Sequence, residues 1–229
     1  MMNQKRNPNE EIITIIRALK VHINSNKEEF VYFNETKKLD KKAQLENFFE
    51  QIKDCTLCDL YKTRTNFVFG EGNPDAKVVF VGEAPGEEED KQGRPFVGKA
   101  GQLLTKIIES INFKREEVFI LNVLKCRPPN NRPPEVYEIE KCKPYLEKQL
   151  DIINPVIICT LGNPATQTLL NTKEGISKVR GNIFLWKGIE VIPTYHPSAC
   201  LRFPDYKKDV WKDVKLLRKE YDRLCRNSS

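Results

Sequence analysis

The sequence predicts an α/β domain on a mainly parallel sheet, with a helical extension in front of it. Three observations carry this. Short β-branched and apolar runs recur, as at Val78-Val79-Phe80-Val81 and Val156-Ile157-Ile158-Cys159, and such runs suit buried strands. Amphipathic helical patterns alternate with them, the signature of a sheet covered by helices. Glycine-punctuated loops follow the strands, above all Gly82-Glu83-Ala84-Pro85-Gly86, and a parallel sheet places its ligands outside the strand carboxyl ends.

In chain order, Ile12, Ile13, Ile16, Leu19 and Ile23 fall at helical spacing over residues 9–23. His22 on that helix is incidental. The stretch 24–37 is polar apart from Phe30-Val31-Tyr32-Phe33 and reads as a linker. A helix follows over about 40–53, with Leu45, Phe48, Phe49 and Ile52 on one face. Residues 1–40 are therefore taken as the extension and 41–229 as the working domain. After the first strand, Leu103, Leu104, Ile107, Ile108 and Ile111 mark a helix, and Val118 to Lys125 a second strand. A helix runs from about Glu135. The strand Val156–Cys159 turns at Gly162 into a helix reaching about Leu170, and a hairpin over 182–192 feeds the last strand. The final helix starts near Asp205 and turns Tyr206, Val210, Val214, Leu217, Tyr221 and Leu224 inward.

The totals narrow the function. At 229 residues, 39% hydrophobic and 31% charged, the chain is globular with a heavily charged surface. No apolar run approaches the ~20 residues needed to cross a bilayer, and the N-terminus has no apolar core of a secretion signal, so a cytoplasmic protein is expected. A net charge of +6 is compatible with a polyanionic partner without requiring one. Seven cysteines, an odd number without a signal peptide, point to metal or free thiols rather than disulfides.

Four of them form a pattern: Cys55-x2-Cys58, then Cys126, then Cys142 after fifteen intervening residues. Four thiolates suit tetrahedral Zn²⁺ or a [4Fe–4S] cluster, and the wide second pair favours the cluster. Cys159 and Cys200 read as packing, and Cys225 falls in the charged last helix. Phe96, in Gly93-Arg94-Pro95-Phe96-Val97-Gly98, is either a plug over the core or a platform for a flat base. Asn122 interrupts an apolar strand, so its amide either bonds a neighbouring loop or reads an imide edge such as that of uracil. His196 follows the last strand and precedes Pro197, where a catalytic imidazole would be placed. The acids after Gly86 are either a surface turn or part of a site.

Taken in order, these motifs resemble the family 4 uracil-DNA glycosylases, the iron–sulfur branch of that superfamily, over about 45–220. The matching stretches are Cys55-x2-Cys58, Gly82 to Asp90, Gly93 to Gly98, Asn122 to Pro129, Cys142 and His196-Pro197-Ser198. The resemblance implies a three-layer α/β/α sandwich around a short, mainly parallel four-stranded sheet. It implies a [4Fe–4S] cluster on Cys55, Cys58, Cys126 and Cys142, and excision of uracil from single- or double-stranded DNA to leave an abasic site. Phe96 then stacks on the base, Asn122 reads its edge and His196 faces uracil O2. Gly82, Glu83, Ala84 and Glu89 line the pocket, with Glu83 or Glu89 handling the water, since Ala84 offers no base. Ser198, Leu201 and Arg202 face DNA, Leu201 as a wedge and Arg202 as a phosphate contact. A monomer is expected, with the extension free to engage a replication or repair partner. Two rival readings are a catalytically silent DNA-binding module and a zinc-stapled nucleotide-binding protein.

Overall fold

The computed structural model describes residues 40–226, and the architecture is that of the unit beginning at Lys41. The helix expected over 9–23, with His22, and the linker after it lie outside the described residues.

Six strands form one sheet: β1 (Glu71–Gly72), β2 (Val78–Gly82), β3 (Phe119–Asn122), β4 (Ile157–Leu161), β5 (Phe184–Trp186) and β6 (Ile189–Thr194). Their order is β1-β3-β2-β4-β6-β5. The four expected strands are the parallel centre, β3-β2-β4-β6. The expected count of four is corrected by two short antiparallel edges. β5 is the outer arm of the anticipated hairpin. β1 has two residues, too few to show any periodicity, and it pairs with β3 through Glu71–Ile120 and Gly72–Phe119.

Strand residues alternate between two cores, because side chains on a strand point to opposite faces in turn. Val79, Val81, Leu121, Ile158 and Val191 pack on one side with α1 (Lys41–Ile52), α4 (Val136–Ile153) and α5 (Asn163–Leu170). Val78, Phe80, Ile120, Ile157, Cys159 and Ile192 pack on the other with α3 (Lys99–Glu109), α7 (Pro197–Arg202) and α8 (Tyr206–Arg226). Helices cover both faces, giving the α/β/α sandwich. Cys159 and Cys200 are core filling, as expected.

Three short helices were not legible as such: α2 (Glu87–Gln92), α6 (Ile176–Val179) and α7, of six, four and six residues. The acidic run after Gly86 is α2, and two of its acids, Glu89 and Asp90, point back into the fold rather than out to water. Asp90 is buried and accepts the backbone N–H groups of Thr65 and Asn66. Along the sheet, β2 is flanked by β3 on one side and β4 on the other, so the chain reverses its direction of travel there. A crevice at such a switch point, outside the carboxyl ends, is where an open α/β sheet binds ligands.

Candidate active site

The carboxyl ends of β2, β3, β4 and β6 open into one cavity of about 590 Å³, within the usual range for a small-molecule pocket. Its lining includes Glu83, Ala84, Glu89, Phe96, Asn122, His196, Ser198 and Arg202, which the sequence separates by up to 119 positions. Gly82, also expected there, is not in the lining; it packs beneath it, against the side chains of Asn122 and Phe96. Leu201 does not line it; this residue stands exposed on α7, next in sequence to the cavity-lining Arg202.

Asn122 ends β3 beside Gly82 in register, and its side chain is buried. Its Oδ1 has no hydrogen-bond partner. Leaving a buried acceptor unmade costs about 1–3 kcal/mol, so folding alone does not favour an amide here. The backbone carbonyl of the same residue is occupied, accepting from Lys125 Nζ at 2.8 Å. Gly82 is required for this approach: a methyl group on it would overlap Asn122 Oδ1 and lie 2.5 Å from Phe96 Cζ.

Phe96 is buried, belongs to the core on the α3 side, and still forms one wall of the cavity. Its ring centre lies 5.6 Å from that of His196. The backbone at Phe96 is left-handed, φ 51°, a conformation that costs a non-glycine residue about 1–2 kcal/mol. Several contacts hold it there. Arg115 donates to the Pro95 carbonyl at 2.7 Å, and Gly101 lets α3 pack directly on the loop, since a methyl group there would overlap the Phe96 carbonyl.

The two candidate carboxylates differ sharply. Glu89 is fully engaged. Oε1 accepts Val97 N–H at 2.8 Å and Gly98 N–H at 2.9 Å, while Oε2 accepts Gly86 N–H at 3.1 Å. It therefore ties the 82–86 loop to the Phe96 loop. Glu83 is half-buried against the cavity, and burial alone raises its carboxyl above the ordinary value. Its backbone is fixed by Leu124 N–H, which donates to the Glu83 carbonyl at 3.0 Å.

His196 caps α7, with Nδ1 accepting from Ser198 N–H at 3.2 Å and lying 2.7 Å from Ser198 Oγ. A backbone N–H can only donate, so Nδ1 is unprotonated and the ring carries its proton on Nε2. Burial and the neighbouring Arg202 push the imidazole down to about 4, against a smaller opposing pull from Glu89. The ring is a neutral donor at pH 7. Behind it, Thr194 donates to the buried Asp213 carboxylate at 2.7 Å, and Arg180 bonds the same carboxylate through two nitrogens. Arg180 and Asp213 were missed by sequence reading, as nothing marks a pair 33 positions apart.

The four patterned cysteines gather in a second place, beside the cavity. Arg64 Nη1 donates both to the Cys55 carbonyl at 2.8 Å and to Cys126 Sγ at 3.3 Å, and Tyr145 OH donates to Cys55 Sγ at 3.3 Å. Burial raises the Cys58 and Cys126 thiols, and Cys142 to about 12, with the charges of neighbouring members of the set adding to it. Lys125 is fully buried among them, its ammonium lowered to about 7 by burial. Among the described residues no group of three or more Cys, His, Asp or Glu side chains is placed to hold a metal ion. Arg64, Lys125 and Tyr145 carry no motif signal, because each is recognised only by what it touches.

The Uracil DNA glycosylase superfamily model matches residues 69–215. A type-4 uracil-DNA glycosylase of Sulfurisphaera tokodaii is 51% identical over 183 residues, covering 76% of this chain and 83% of its own. One of Thermotoga maritima is 54% identical over 155 residues, 67% of this chain and 81% of its own. One of Archaeoglobus fulgidus is 48% identical over 179 residues, 75% of this chain and 90% of its own.

Proposed function

The chain belongs to the uracil DNA glycosylase superfamily and, within it, to the type-4 uracil-DNA glycosylases, and on that premise we propose how its residues divide the work. It is a DNA-repair enzyme that removes uracil from DNA.

The observation that carries the residue assignment is the pairing, within one cavity, of the partnerless Asn122 Oδ1 with the neutral His196 donor. A base in a duplex is out of reach, so the target nucleotide rotates out of the stack at a cost of a few kcal/mol. Asn122 Oδ1 then accepts from uracil N3–H while Nδ2 donates to O4. Cytosine, with an acceptor at N3 and a donor at C4, would oppose like to like. The Phe96 ring, seated against Gly82, offers a flat wall for the pyrimidine. As the bond from C1′ to N1 breaks, its electron pair passes to the base, and His196 Nε2–H stabilises the charge on O2. One such preorganised donor is worth about 3 kcal/mol. Water adds to C1′ and gives a proton to Glu83, whose carboxylate has no structural task. Glu89 holds the two loops together, and Ser198 orients the imidazole. Arg202 meets a phosphate at the mouth, and Leu201 fills the gap left in the stack.

Cys55, Cys58, Cys126 and Cys142 would hold a [4Fe–4S] cluster. Arg64 donates to Cys126, Tyr145 donates to Cys55 and the buried Lys125 lies near Cys126 and Cys142, surroundings that suit four thiolates sharing a cluster. When bound, the cluster supplies cross-linking of the 55–64 and 126–142 segments rather than electron transfer. Such a centre and free thiols suit the reducing interior of a cell, where this monomer works on DNA. No helix among the described residues is long and apolar enough to cross a membrane. Residues 41–229 form the working domain, and residues 1–40 engage a replication or repair partner.

The direct test is an oligonucleotide with one uracil, treated with the protein and then alkali. Strand cleavage at the uracil, and none in cytosine or thymine controls, is expected. An uncut uracil strand would overturn the assignment.

A further inference from the structure

The cavity accounts for the flipped base and leaves unassigned what holds the bases beside it. We propose that Phe203 is a stacking platform for the nucleobase next to the flipped uridine, a DNA subsite outside the uracil pocket. This rests on the base-flipping reading above.

Phe203 closes α7, the short helix capped at its other end by His196. It is 55% exposed, and Leu201, two residues earlier, is 46% exposed. Arg202 between them lines the cavity. Two large apolar side chains thus flank a cation at the mouth of the site, where leaving them in water is unfavourable.

The two are not equivalent. Leu201 has no ring partner, whereas Phe203 rests at 5.5 Å on Tyr206, which stacks on Tyr195 at 4.2 Å and 8° between planes. Tyr195 lines the cavity and directly precedes His196. The Arg180 guanidinium lies 5.5 Å from the Tyr195 ring and is itself locked by Asp213. The Phe203 backbone is fixed as well, its N–H donating to Ala199 O at 2.8 Å. The Phe203 ring is therefore held, tilted at 47°, against a tyrosine stack whose inner member lines the pocket. The flat apolar surface that arrives at this mouth with every substrate is the neighbouring base, and stacking on it needs no particular sequence.

The test compares wild type, Phe203→Ala and Phe203→Trp on two oligonucleotides. In one, ordinary nucleotides flank the uridine; in the other, both flanks are abasic spacers. On the first, Phe203→Ala should raise KM by about 5- to 150-fold, the range for one base–aromatic stack, and Phe203→Trp should restore it. The loss should fall on KM rather than kcat. On the spacer oligonucleotide the three proteins should converge. A KM for Phe203→Ala within about twofold of wild type on the first strand, or an equal loss on both strands, would overturn the platform. Wild-type excision of the ordinary strand is the control for the underlying reading: without it both ideas fall, and with it only Phe203 is at stake.

Discussion

At the scale of single residues, the question left open by the sequence is which acid serves the water. Glu83 and Glu89 sit six positions apart in one acidic motif, and nothing in their order separates them. Three N–H groups on Glu89 and none on Glu83 do. Glu83→Gln should therefore cut kcat by about 10²–10⁴-fold, the usual worth of a positioned base, with an unchanged melting temperature. Glu89→Gln keeps one acceptor oxygen and should lose about 1–3 kcal/mol of stability, seen as a lowered Tm. The reverse pattern would exchange the roles. A pH dependence arises from the same pocket. Burial raises the Glu83 carboxyl above its ordinary 4.5, so the rate should fall on the acid side as this group takes a proton. His196, lowered to about 4, should take no part in that limb. Proton NMR can check this, because the chain has two histidines and the ring signal missing from His196→Asn is that of His196. The His196 signal should stay unshifted from about pH 8 to 5; titration near the ordinary value of 6.5 would count against a neutral donor. The residues themselves were legible from glycine loops and strand ends. Their protonation was not, because it depends on Ser198 N–H and Arg202, which only the fold brings to the ring.

At the scale of elements, the long periodic ones were legible and the short ones were not. α8 and α4 repeat an apolar stripe over 21 and 18 residues, enough for a helical period to stand out. α2, α7 and β1 have six, six and two residues, and their form comes from caps and neighbours rather than pattern. Yet α2 and α7 carry Glu89, Asp90, Ser198 and Arg202, so much of the site rides on elements that tertiary contacts define. The junction of β2 and β3 offers a test of how tightly these elements are fitted. Gly82 has ordinary backbone angles, so alanine is tolerated by the chain itself and fails only by contact with Asn122 and Phe96. Gly82→Ala should displace both walls of the slot and lower kcat/KM by about 10²-fold, the cost of misplacing a reacting group by about 1 Å. Inhibition by free uracil should weaken in parallel. Normal product inhibition in that variant would show the slot lies elsewhere.

At the scale of the whole molecule, two centres share one segment. The chain passes from Asn122 in the pocket to Cys126 in the thiol group within four residues, and Lys125 Nζ ties back to the Asn122 carbonyl. The same segment continues to Arg132, whose guanidinium grips the buried Glu138 through two bonds, at 2.9 and 2.6 Å. From the other direction, Asp90 on α2 anchors the loop that carries Arg64, and Arg64 reaches Cys126. The pocket and the thiols are thus braced against each other through backbone and buried charge, although no cysteine lines the cavity. The four thiols were legible as a set from their spacing, but their link to the pocket was not, since it runs through Lys125 and Arg64. Metal ligation by thiolates contributes directly to folding free energy, so removing one ligand should act on both centres together. Cys126→Ser should lose iron, the brown absorbance at about 400 nm expected of thiolate-bound iron, several degrees of Tm and uracil excision in step. Chelation of iron from the wild type should take the same course, with Tm and excision declining in proportion to the iron removed. Excision that survives intact in iron-free protein would mean that the loop from Asn122 to Arg132 is held by its own packing, and that the thiols serve some end other than supporting the pocket.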